Sequence, residues 1–479
     1  QGKLSSKLEK KLRELIQNWN VPLAVRSSGL LEDSQTQPFA GVYSTYMLPN
    51  NEVDNEERLH KLQNAIKLIF ASPFKKKAGK YLHSINIKTE EEKMAVIIQE
   101  IVGSIYDEIF FLPEVSGVCQ SYNFYPIKGM KHEDGITSLV VGLGKEVVDG
   151  GLSFRFCPRY PKIDLQKPVE TVKYNQKGFY AVDLKNKDID LCSGEEATLK
   201  KISLSQDKLE NMFRELTSVW DYHNLRFDDK SFTKGSRILT FRNIIHYNQI
   251  PLADILTRLM EIGKLSLGVP VEIEFALNLS TPGHPSFYLL QIRPLSVNQE
   301  KVELDLTKID KQDICLFSRQ AIGNGQIEGV KDIVLIDPAT FDNTKTVEMA
   351  KEIEALNRKM QKEKKYYVLL GPGRWGSSDR FLGIPVRWEQ IDRAKVIVET
   401  SLDNFTVEAS QGSHFFHNLV TMNIIYVSVP TDSTKNFIDW EWLNQQKIIT
   451  RKNYTIHLEI EKPLTIKIDG HSATSVILK

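Results

Sequence analysis

The chain has 479 residues, of which 41% are hydrophobic and 26% are charged. This composition is typical of a globular protein with roughly two to four domains. A net charge of +1 gives no electrostatic reason to expect nucleic acid or a membrane surface as a partner. No apolar run approaches the ~18 residues of a membrane-spanning helix, and the polar amino terminus does not resemble a signal peptide. The four cysteines form no CxxC unit, which argues against a zinc site and predicts free thiols in a reducing, cytoplasmic compartment.

The first elements lead into a polar loop. Apolar residues at helical spacing predict an amphipathic helix at Leu8–Trp19, and VPLAV (Val21–Val25) predicts a short buried strand. The loop that follows, RSSGLLEDSQTQPFAG, begins at Arg26 and carries hydroxyls, carboxylates and a glycine. Because hydroxyls, backbone N–H groups and Arg complement phosphate oxygens, the loop is a candidate phosphate site. An ordinary surface turn would have the same composition.

The next segments predict a helix and two strands that approach a cleft. The helical pattern runs over Asn55–Leu82. MAVIIQEIV (Met94–Val102) is strongly apolar and turns polar at Gln99 and Glu100, the profile of a central strand that emerges at a cleft. The backbone of such a strand could recognise the edge of an adenine ring. SLVVGLGKEVVDGG (Ser138–Gly151) predicts a strand, a loop and a helix, with glycines that let the backbone approach a ligand closely.

Two further helices are predicted by periodicity, at Leu204–Trp220 and Leu252–Leu267. The second leads into VPVEIEFALNLSTPGHPSFYLLQIRPL (Val269–Leu295). Alternating residues on both sides of a cluster of turn residues predict a β-hairpin.

The hairpin carries polar side chains at every second position. Since such side chains share a face of a strand, Glu272 lies with Glu274, and Gln291 lies with Arg293. Carboxylates and an amide carbonyl suit Mg²⁺, which usually comes with phosphates. An Arg beside them could hold a phosphate in a bidentate contact. The alternative is a solvated strand face with a surface ion pair.

Beyond the charged segment Lys301–Lys311, a second region begins. It predicts strands at DIVLID and YYVLL, separated by a charged amphipathic helix at Val347–Lys365, and an antiparallel β-structure in the tail. GPGRWGS formally matches GxGxxG, but its Pro372 and Trp375 do not suit a helix amino terminus, so we discount a dinucleotide fold. Arg374 in this loop remains a candidate anion site.

Taken together, these segments resemble the nucleotide-binding ATP-grasp domain of the pyruvate phosphate dikinase and phosphoenolpyruvate synthase family. Five blocks stand in the family's order over about residues 20–297: VRSS with ED and FAG, AIKLIFASPFKKKAGKYL, MAVIIQEIV, SGV with GLGKEVVDGG, and EIEFAL with LLQIRPL. The resemblance implies an α+β fold, with an ATP-grasp-like nucleotide-binding domain at 1–300 that is partial at its amino terminus. A linker at 301–311 and a smaller mixed α/β domain at 312–479, similar to a swivelling domain, would follow.

The resemblance also implies cofactors and residue roles. In that family ATP, with Mg²⁺, phosphorylates a histidine on a swivelling domain, which then passes the group to pyruvate. His414 in GSHFFHN, with His417 three residues on, would be the candidate acceptor, although the run is only a partial echo of the family's Thr-Ser-His-Ala motif. The remaining assignments are Arg26 and Arg293 as catalytic, phosphate-binding cations, Gln99, Glu100, Ile101 and Val102 as the adenine pocket, Glu272, Glu274 and Gln291 as Mg²⁺ ligands, and Glu272 also as a nucleotide contact.

Two departures from the family keep alternatives open. Only about 25 residues precede Arg26, too few for the family's additional amino-terminal stretch, so the chain is expected to be a fragment or to receive part of its ATP site from elsewhere. No segment predicts the (β/α)₈ barrel that binds pyruvate. An ATP-dependent phosphotransferase of this type, or its nucleotide-binding portion, is the first hypothesis. The alternatives are a non-catalytic nucleotide-binding or assembly module, and an enzyme with another acceptor, such as a polysaccharide.

Overall fold

The structure is a computed structural model, and its contacts divide the chain into two units. The first unit is Gln1–Val148 with Leu152–Leu295, and the second is Asp149–Gly151 with Ser296–Lys479. The structure describes all residues except 1, 31, 33–40, 42, 76–77, 80–81, 83–87, 128, 188, 231–232, 280–284, 296, 298–303, 305–308, 378, 380, 403–404, 407–408, 411–418, 420–423, 431–435 and 471.

The first unit contains both α-helices and β-strands. The α-helices are α1 (Ser6–Asn18), α2 (Asn55–Ala71), α3 (Lys145–Val148), α4 (Pro168–Lys173), α5 (Gln206–Asn211), α6 (Arg242–Ile245) and α7 (Leu252–Leu267). The strands are β1 (Leu23–Gly29), β2 (Thr45–Leu48), β3 (Met94–Glu100), β4 (Ser104–Tyr106), β5 (Phe110–Leu112), β6 (Val115–Gln120), β7 (Ile136–Val140), β8 (Phe154–Phe156), β9 (Gly178–Asp183), β10 (Leu199–Ser203), β11 (Thr217–Asp221), β12 (Arg226–Asp228), β13 (Arg237–Leu239), β14 (Val271–Asn278) and β15 (Ser286–Pro294).

Two sheets of this unit carry most of the candidate site. A three-stranded sheet of order β2-β1-β3 packs with α1 and α2 around a core that includes Leu12, Ile16 and Leu62. The Ser5 side chain caps α1 by accepting a hydrogen bond from the N–H of Leu8. A five-stranded antiparallel sheet of order β15-β14-β6-β7-β8 buries one face against a second core, which contains Leu256 of α7.

The other sheets of the first unit are smaller. One has the order β10-β9-β5-β4, and another has the order β12-β11-β13. Together with the helices, they make the first unit a mixed α+β structure.

The second unit is built on a mixed sheet. Its described α-helices are α8 (Thr346–Glu363) and α9 (Trp440–Asn444). Its strands are β16 (Ile314–Ser318), β17 (Ala321–Ile322), β18 (Gly325–Ile336), β19 (Tyr367–Pro372), β20 (Arg374–Trp375), β21 (Gly383–Ile384), β22 (Ala394–Thr400), β23 (Ile425–Val429), β24 (Phe437–Ile438), β25 (Lys447–Arg451), β26 (Thr455–Asp469) and β27 (Thr474–Leu478).

The main sheet of this unit has the order β17-β23-β22-β19-β18-β26-β27-β16-β24, with β25 paired to β26, and β20 pairs with β21 separately. Neighbouring strands in the run β18, β19, β22 and β23 are parallel. Parallel neighbours need a crossover, and α8 supplies the one between β18 and β19.

The α+β class expected from the sequence is confirmed, and α7 has the predicted bounds. Three local predictions need correction. Strand β1 continues through Arg26 to Gly29, so this Arg stands on a strand and not in the loop after it. Helix α2 ends at Ala71, where Ser72–Phe74 tightens into a 3₁₀ turn with Pro73 at its start.

The third correction concerns the segment predicted as one long helix at Leu204–Trp220. It holds the short helix α5, a 3₁₀ turn at Arg214–Leu216 and the first residues of strand β11. The β-branched and aromatic residues at its end, Thr217, Val219 and Trp220, favour the strand.

Three predictions about the whole chain can be compared with narrower structural observations. The contact division falls after Leu295, and most of the predicted linker at 301–311 lies outside the described residues, so the predicted boundaries stay a prediction. All four cysteines are free. Within the described ranges, none of the helices combines the length and the apolar character needed to cross a membrane.

Candidate functional site

The predicted hairpin forms with the polar residues directly opposed. Strand β14 pairs antiparallel with β15 so that Glu272 faces Arg293 and Glu274 faces Gln291. The intervening Ile273 belongs to the apolar core beneath the sheet. Period-2 alternation therefore places the four polar side chains together on the opposite face.

Glu272 and Arg293 form a buried ion pair on this face. The Arg293 Nε–H donates to the Glu272 Oε1 at 2.9 Å, and its Nη2 donates to the same oxygen. The Glu272 side chain is 0% exposed and that of Arg293 is 7% exposed. On the neighbouring strand β6, the Gln120 Nε2 donates to the second oxygen of Glu272 at 2.7 Å. Both oxygens of Glu272 are thus engaged by protein donors.

Glu274 and Gln291 form the more accessible part of the hairpin face. The Glu274 side chain is 22% exposed, and its Oε1 lies 3.3 Å from the Arg293 Nη2. The Gln291 Oε1 accepts a hydrogen bond of 2.6 Å from the Nη2 of Arg26. Arg26 belongs to the three-stranded sheet, so this bond joins two sheets through residues that are 265 positions apart.

The face of the three-stranded sheet that carries Arg26 is partly apolar. Arg26 is opposite Ile97 on β3, and Ala24 is opposite Gln99, so these four side chains share one face. Ile97 is 42% exposed, although it lies in an apolar strand. A cation beside an exposed aliphatic side chain is a surface suited to a ligand that has both an anionic and an apolar part.

The predicted adenine segment ends an edge strand. The sheet order β2-β1-β3 puts β3 at the edge, which corrects the expectation of a central strand. The N–H of Ile101 donates to the carbonyl of Pro22 at 2.9 Å. This bond extends the pairing one residue past Glu100, where β3 ends, so continued alternation turns the backbone groups of Glu100 and Val102 away from β1. This outward edge offers a carbonyl and an N–H two residues apart.

The glycine-rich loop after β7 is tightly built. Gly142 has a φ of +82°, and a Cβ there would lie 2.7 Å from the carbonyl oxygen of Tyr180. The Ser116 hydroxyl donates to the Gly142 carbonyl at 2.8 Å. The positive φ and the close carbonyl oxygen require glycine at this position, and the hydrogen bond from Ser116 fixes the loop to the five-stranded sheet. The helix that follows, α3, has only four residues.

The donor set of the hairpin fits Mg²⁺ in part. No three His, Cys, Asp or Glu side chains converge as a preformed metal site in the part of the chain that the structure describes. Glu274 and Gln291 are directly opposed and carry hard oxygen ligands, and Mg²⁺ is commonly held by one or two protein carboxylates plus phosphates. The single side-chain oxygen of Gln291 accepts from Arg26, so Glu274 is the better placed of the two. Glu272 fits this role less well because protein donors already occupy both of its oxygens.

In the second unit, the GPGRWGS loop is packed around a buried carboxylate. The Glu399 Oε1 accepts from the N–H of Trp375 at 2.9 Å, and its Oε2 accepts from the hydroxyl of Tyr426 at 2.5 Å. The N–H and hydroxyl of Ser410 donate to the same carboxylate. Burial raises the pKa of Glu399, although these hydrogen bonds oppose the shift.

The remaining site residues predicted in this unit are Arg374, His414 and His417. Arg374 is buried and donates to the carbonyl of Gly150 at 3.0 Å, both in the second unit. His414 and His417 lie outside the described residues.

The structure thus brings together Arg26, Glu272, Glu274, Gln291 and Arg293, five residues that the sequence analysis singled out. It adds Gln120, which the sequence analysis did not single out. The available signal was a polar residue at the end of an otherwise small and apolar strand, SGVCQ. That signal does not say which residue the amide faces.

Comparison with known proteins identifies the family of the amino-terminal part of the chain. The family described as "Pyruvate phosphate dikinase, AMP/ATP-binding domain" matches residues 1–313. The phosphoenolpyruvate synthase of Aeropyrum pernix is 26% identical over 291 residues, which are 59% of this chain and 29% of that protein. A probable phosphoenolpyruvate synthase of Archaeoglobus fulgidus is 26% identical over 218 residues, 46% of this chain and 26% of that protein.

A third relative, an uncharacterised phosphotransferase of Bacillus subtilis, is 33% identical over 162 residues. That match covers 33% of this chain and 16% of the relative. In each case the matched region is less than a third of the relative's own length.

Proposed function

The chain belongs to the pyruvate phosphate dikinase AMP/ATP-binding domain family, and from this premise we propose that its first unit binds Mg·ATP for phosphoryl transfer of the dikinase type. Nucleotide binding follows from the family. The metal, the ATP-grasp arrangement and the transfer reaction are the proposal.

One observation carries the proposal most directly: the hydrogen bond between Arg26 and Gln291. It brings a cation from the three-stranded sheet to the face that holds Glu274 and Arg293. Phosphoryl transfer depends mainly on positioning and charge stabilisation, so cations and oxygen ligands that converge from two sheets are the parts it needs. A solvated strand face would not require Arg293 to be buried.

In this proposal each residue has a distinct task. Arg26 and Arg293 attract and orient phosphate oxygens, while Glu274 and Gln291 supply oxygen ligands to Mg²⁺. When bound, the metal would neutralise phosphate charge at the hairpin. Glu272 holds Arg293 in place, which is the role supported by its full burial.

The adenine ring would lie along the edge of β3. There the outward carbonyl of Glu100 and the outward N–H of Val102 offer an acceptor and a donor, the pattern that matches an adenine edge. Gln99 and Ile97, on the face shared with Arg26, would contact the ligand from the side of the sheet. This arrangement puts the base beside β3 and the phosphates toward the hairpin.

The acceptor of the phosphoryl group remains a separate part of the proposal. Two relatives are named as phosphoenolpyruvate synthases, which favours a phosphotransfer function. The family resemblance of the sequence makes His414 the candidate acceptor in this chain. A nucleotide-binding module without transfer would share the same ATP site, so only a transfer assay separates the two functions.

Isothermal titration with ATP and Mg²⁺ tests the binding site. We expect wild type to bind, and Glu274→Ala and Arg293→Ala to lose at least about tenfold in affinity, as for charge-assisted contacts worth roughly 1.5–3 kcal/mol. Arg237 and Glu210 form a matched control, because this Arg is also buried and paired with a carboxylate in the same unit. Arg237→Ala and Glu210→Ala should therefore leave the affinity unchanged in folded protein.

The results that contradict the proposal are specific. Wild-type protein that releases no heat with Mg·ATP would refute the site, and equal losses in the control and site variants would refute the residue assignment. For transfer, radiolabelled ATP should give an acid-labile protein label that disappears in His414→Ala. A label that persists in that variant excludes this histidine.

A further inference from the structure

A buried amide completes the row of side chains that ends at Arg293. Arg293, Glu272 and Gln120 are directly opposed on three neighbouring strands, β15, β14 and β6. Gln120 is 6% exposed, and its Nε2 lies 2.7 Å from the Glu272 Oε2. The side chain thus touches the carboxylate on the side away from the arginine.

The amide has a physical task at this position. A carboxylate that is fully buried needs hydrogen-bond donors for both oxygens, because an unsatisfied charged oxygen is costly in a medium of low dielectric constant. Arg293 satisfies the Oε1 of Glu272, and Gln120 satisfies the Oε2. Without the amide donor, rotation of the Glu272 carboxylate to find another hydrogen bond would be favourable. That rotation would move the oxygen that holds the arginine.

We propose that Gln120 is a positioning residue for ATP: it orients Glu272 and thereby holds the Arg293 guanidinium in the geometry that receives a phosphate. The inference rests on the proposed function, since it assigns Gln120 a part in that same site. It adds a residue from a third strand that touches neither nucleotide nor metal.

The test compares the affinity for ATP with the affinity for adenosine, which lacks the phosphates. In wild type, the dissociation constant of adenosine divided by that of ATP measures how much the phosphates contribute to affinity. Gln120→Leu should reduce this ratio by about tenfold while leaving adenosine binding unchanged, as expected when one charged contact is mispositioned. Gln176→Leu is the matched control, because Gln176 is also 6% exposed and hydrogen-bonded in the same unit.

A second variant keeps the test decisive if Gln120→Leu does not fold. Gln120→Glu has the same shape and can donate to Glu272 only when its new carboxyl is protonated. The ratio for this variant, divided by the wild-type ratio at each pH, should therefore rise as pH falls from 8 to 5. A double-mutant cycle with Glu272→Gln should show that the two changes are not additive.

Failure of the inference can be told from failure of the proposed function. Wild type with no preference for ATP over adenosine contradicts the proposed function. If wild type has that preference, the inference alone is overturned when Gln120→Leu matches Gln176→Leu, or when the Gln120→Glu ratio does not change with pH.

Discussion

The two carboxylates of the hairpin are expected to respond in opposite ways to the same isosteric change. Glu272→Gln removes a charge that is 0% exposed and accepts hydrogen bonds from Arg293 and Gln120. Because a Gln has only one oxygen, its amide group must face one of these two donors. Breaking a buried ion pair costs about 3–5 kcal/mol, and the second carboxylate, 3.3 Å from Arg293, puts the loss at the lower end, about 3 kcal/mol of unfolding free energy.

Glu274→Gln should leave stability within about 1 kcal/mol of wild type, because this side chain is partly exposed and its contact with Arg293 is the weaker one. It should instead raise the Mg²⁺ concentration for half-maximal ATP binding by at least about tenfold, since metal affinity follows the charge of the ligands. Urea denaturation followed by circular dichroism gives the first quantity, and Mg²⁺ titrations at fixed ATP give the second.

The reasoning would be refuted if Glu272→Gln shifted the Mg²⁺ midpoint as much as Glu274→Gln while unfolding at the wild-type urea concentration. That result would make Glu272 the metal ligand that the sequence suggested. The two measurements therefore decide whether Glu272 anchors Arg293 or binds Mg²⁺.

Three further predictions use other parts of the chain. Arg26→Met should weaken Mg·ATP binding about 10–100-fold in calorimetry and leave unfolding within about 1 kcal/mol, because the partner of Arg26 is a neutral amide; unchanged affinity would exclude a phosphate contact. Val102→Pro should remove an N–H from the β3 edge and weaken the binding of ATP but not that of inorganic tripolyphosphate. Equal losses of affinity for both ligands would exclude an adenine contact. Because burial raises the pKa of Glu399 above the usual 4.5, its stabilising contribution is present below that pH and lost as pH rises through the folded-state pKa. The melting temperature of Glu399→Gln minus that of wild type should then increase from pH 4 to pH 8, and a constant difference would contradict the sign.

The sequence was sufficient where structure follows local pattern. Helix α7 begins and ends as its periodicity predicts, and the two strands predicted for the hairpin pair antiparallel. Because Glu272 and Glu274 alternate with apolar residues, the sequence alone predicts that their side chains share one face of the strand. These predictions need only neighbours along the chain.

Strand β3 shows where such a pattern misleads. Its apolar residues predicted a central strand, yet it lies at a sheet edge. Met94, Val96 and Ile98 pack on the helical core, while Ile97 on the other side is exposed. An edge strand beside a ligand cleft and a strand buried on both faces therefore have the same composition, and only the pairing tells them apart.

Gln120 was missed for a different reason. Its partner Glu272 is 152 residues away, and the contact depends on how β6 pairs with β14. A single sequence contains no local signal for that pairing. The same holds for Arg26 and Gln291, whose residue types were recognised but whose hydrogen bond was not.

The apolar core supplies the constraint that aligns this polar row. Cys119 and Ile273 are directly opposed on β6 and β14, and both are buried in the core beneath the sheet. Because side chains alternate, a slip of one residue between these strands would turn Glu272 into the core and Ile273 out of it. The register that buries the apolar residues is therefore also the register that sets Gln120 against Glu272. Hydrophobic burial on one face thus fixes the geometry of the charged site on the other.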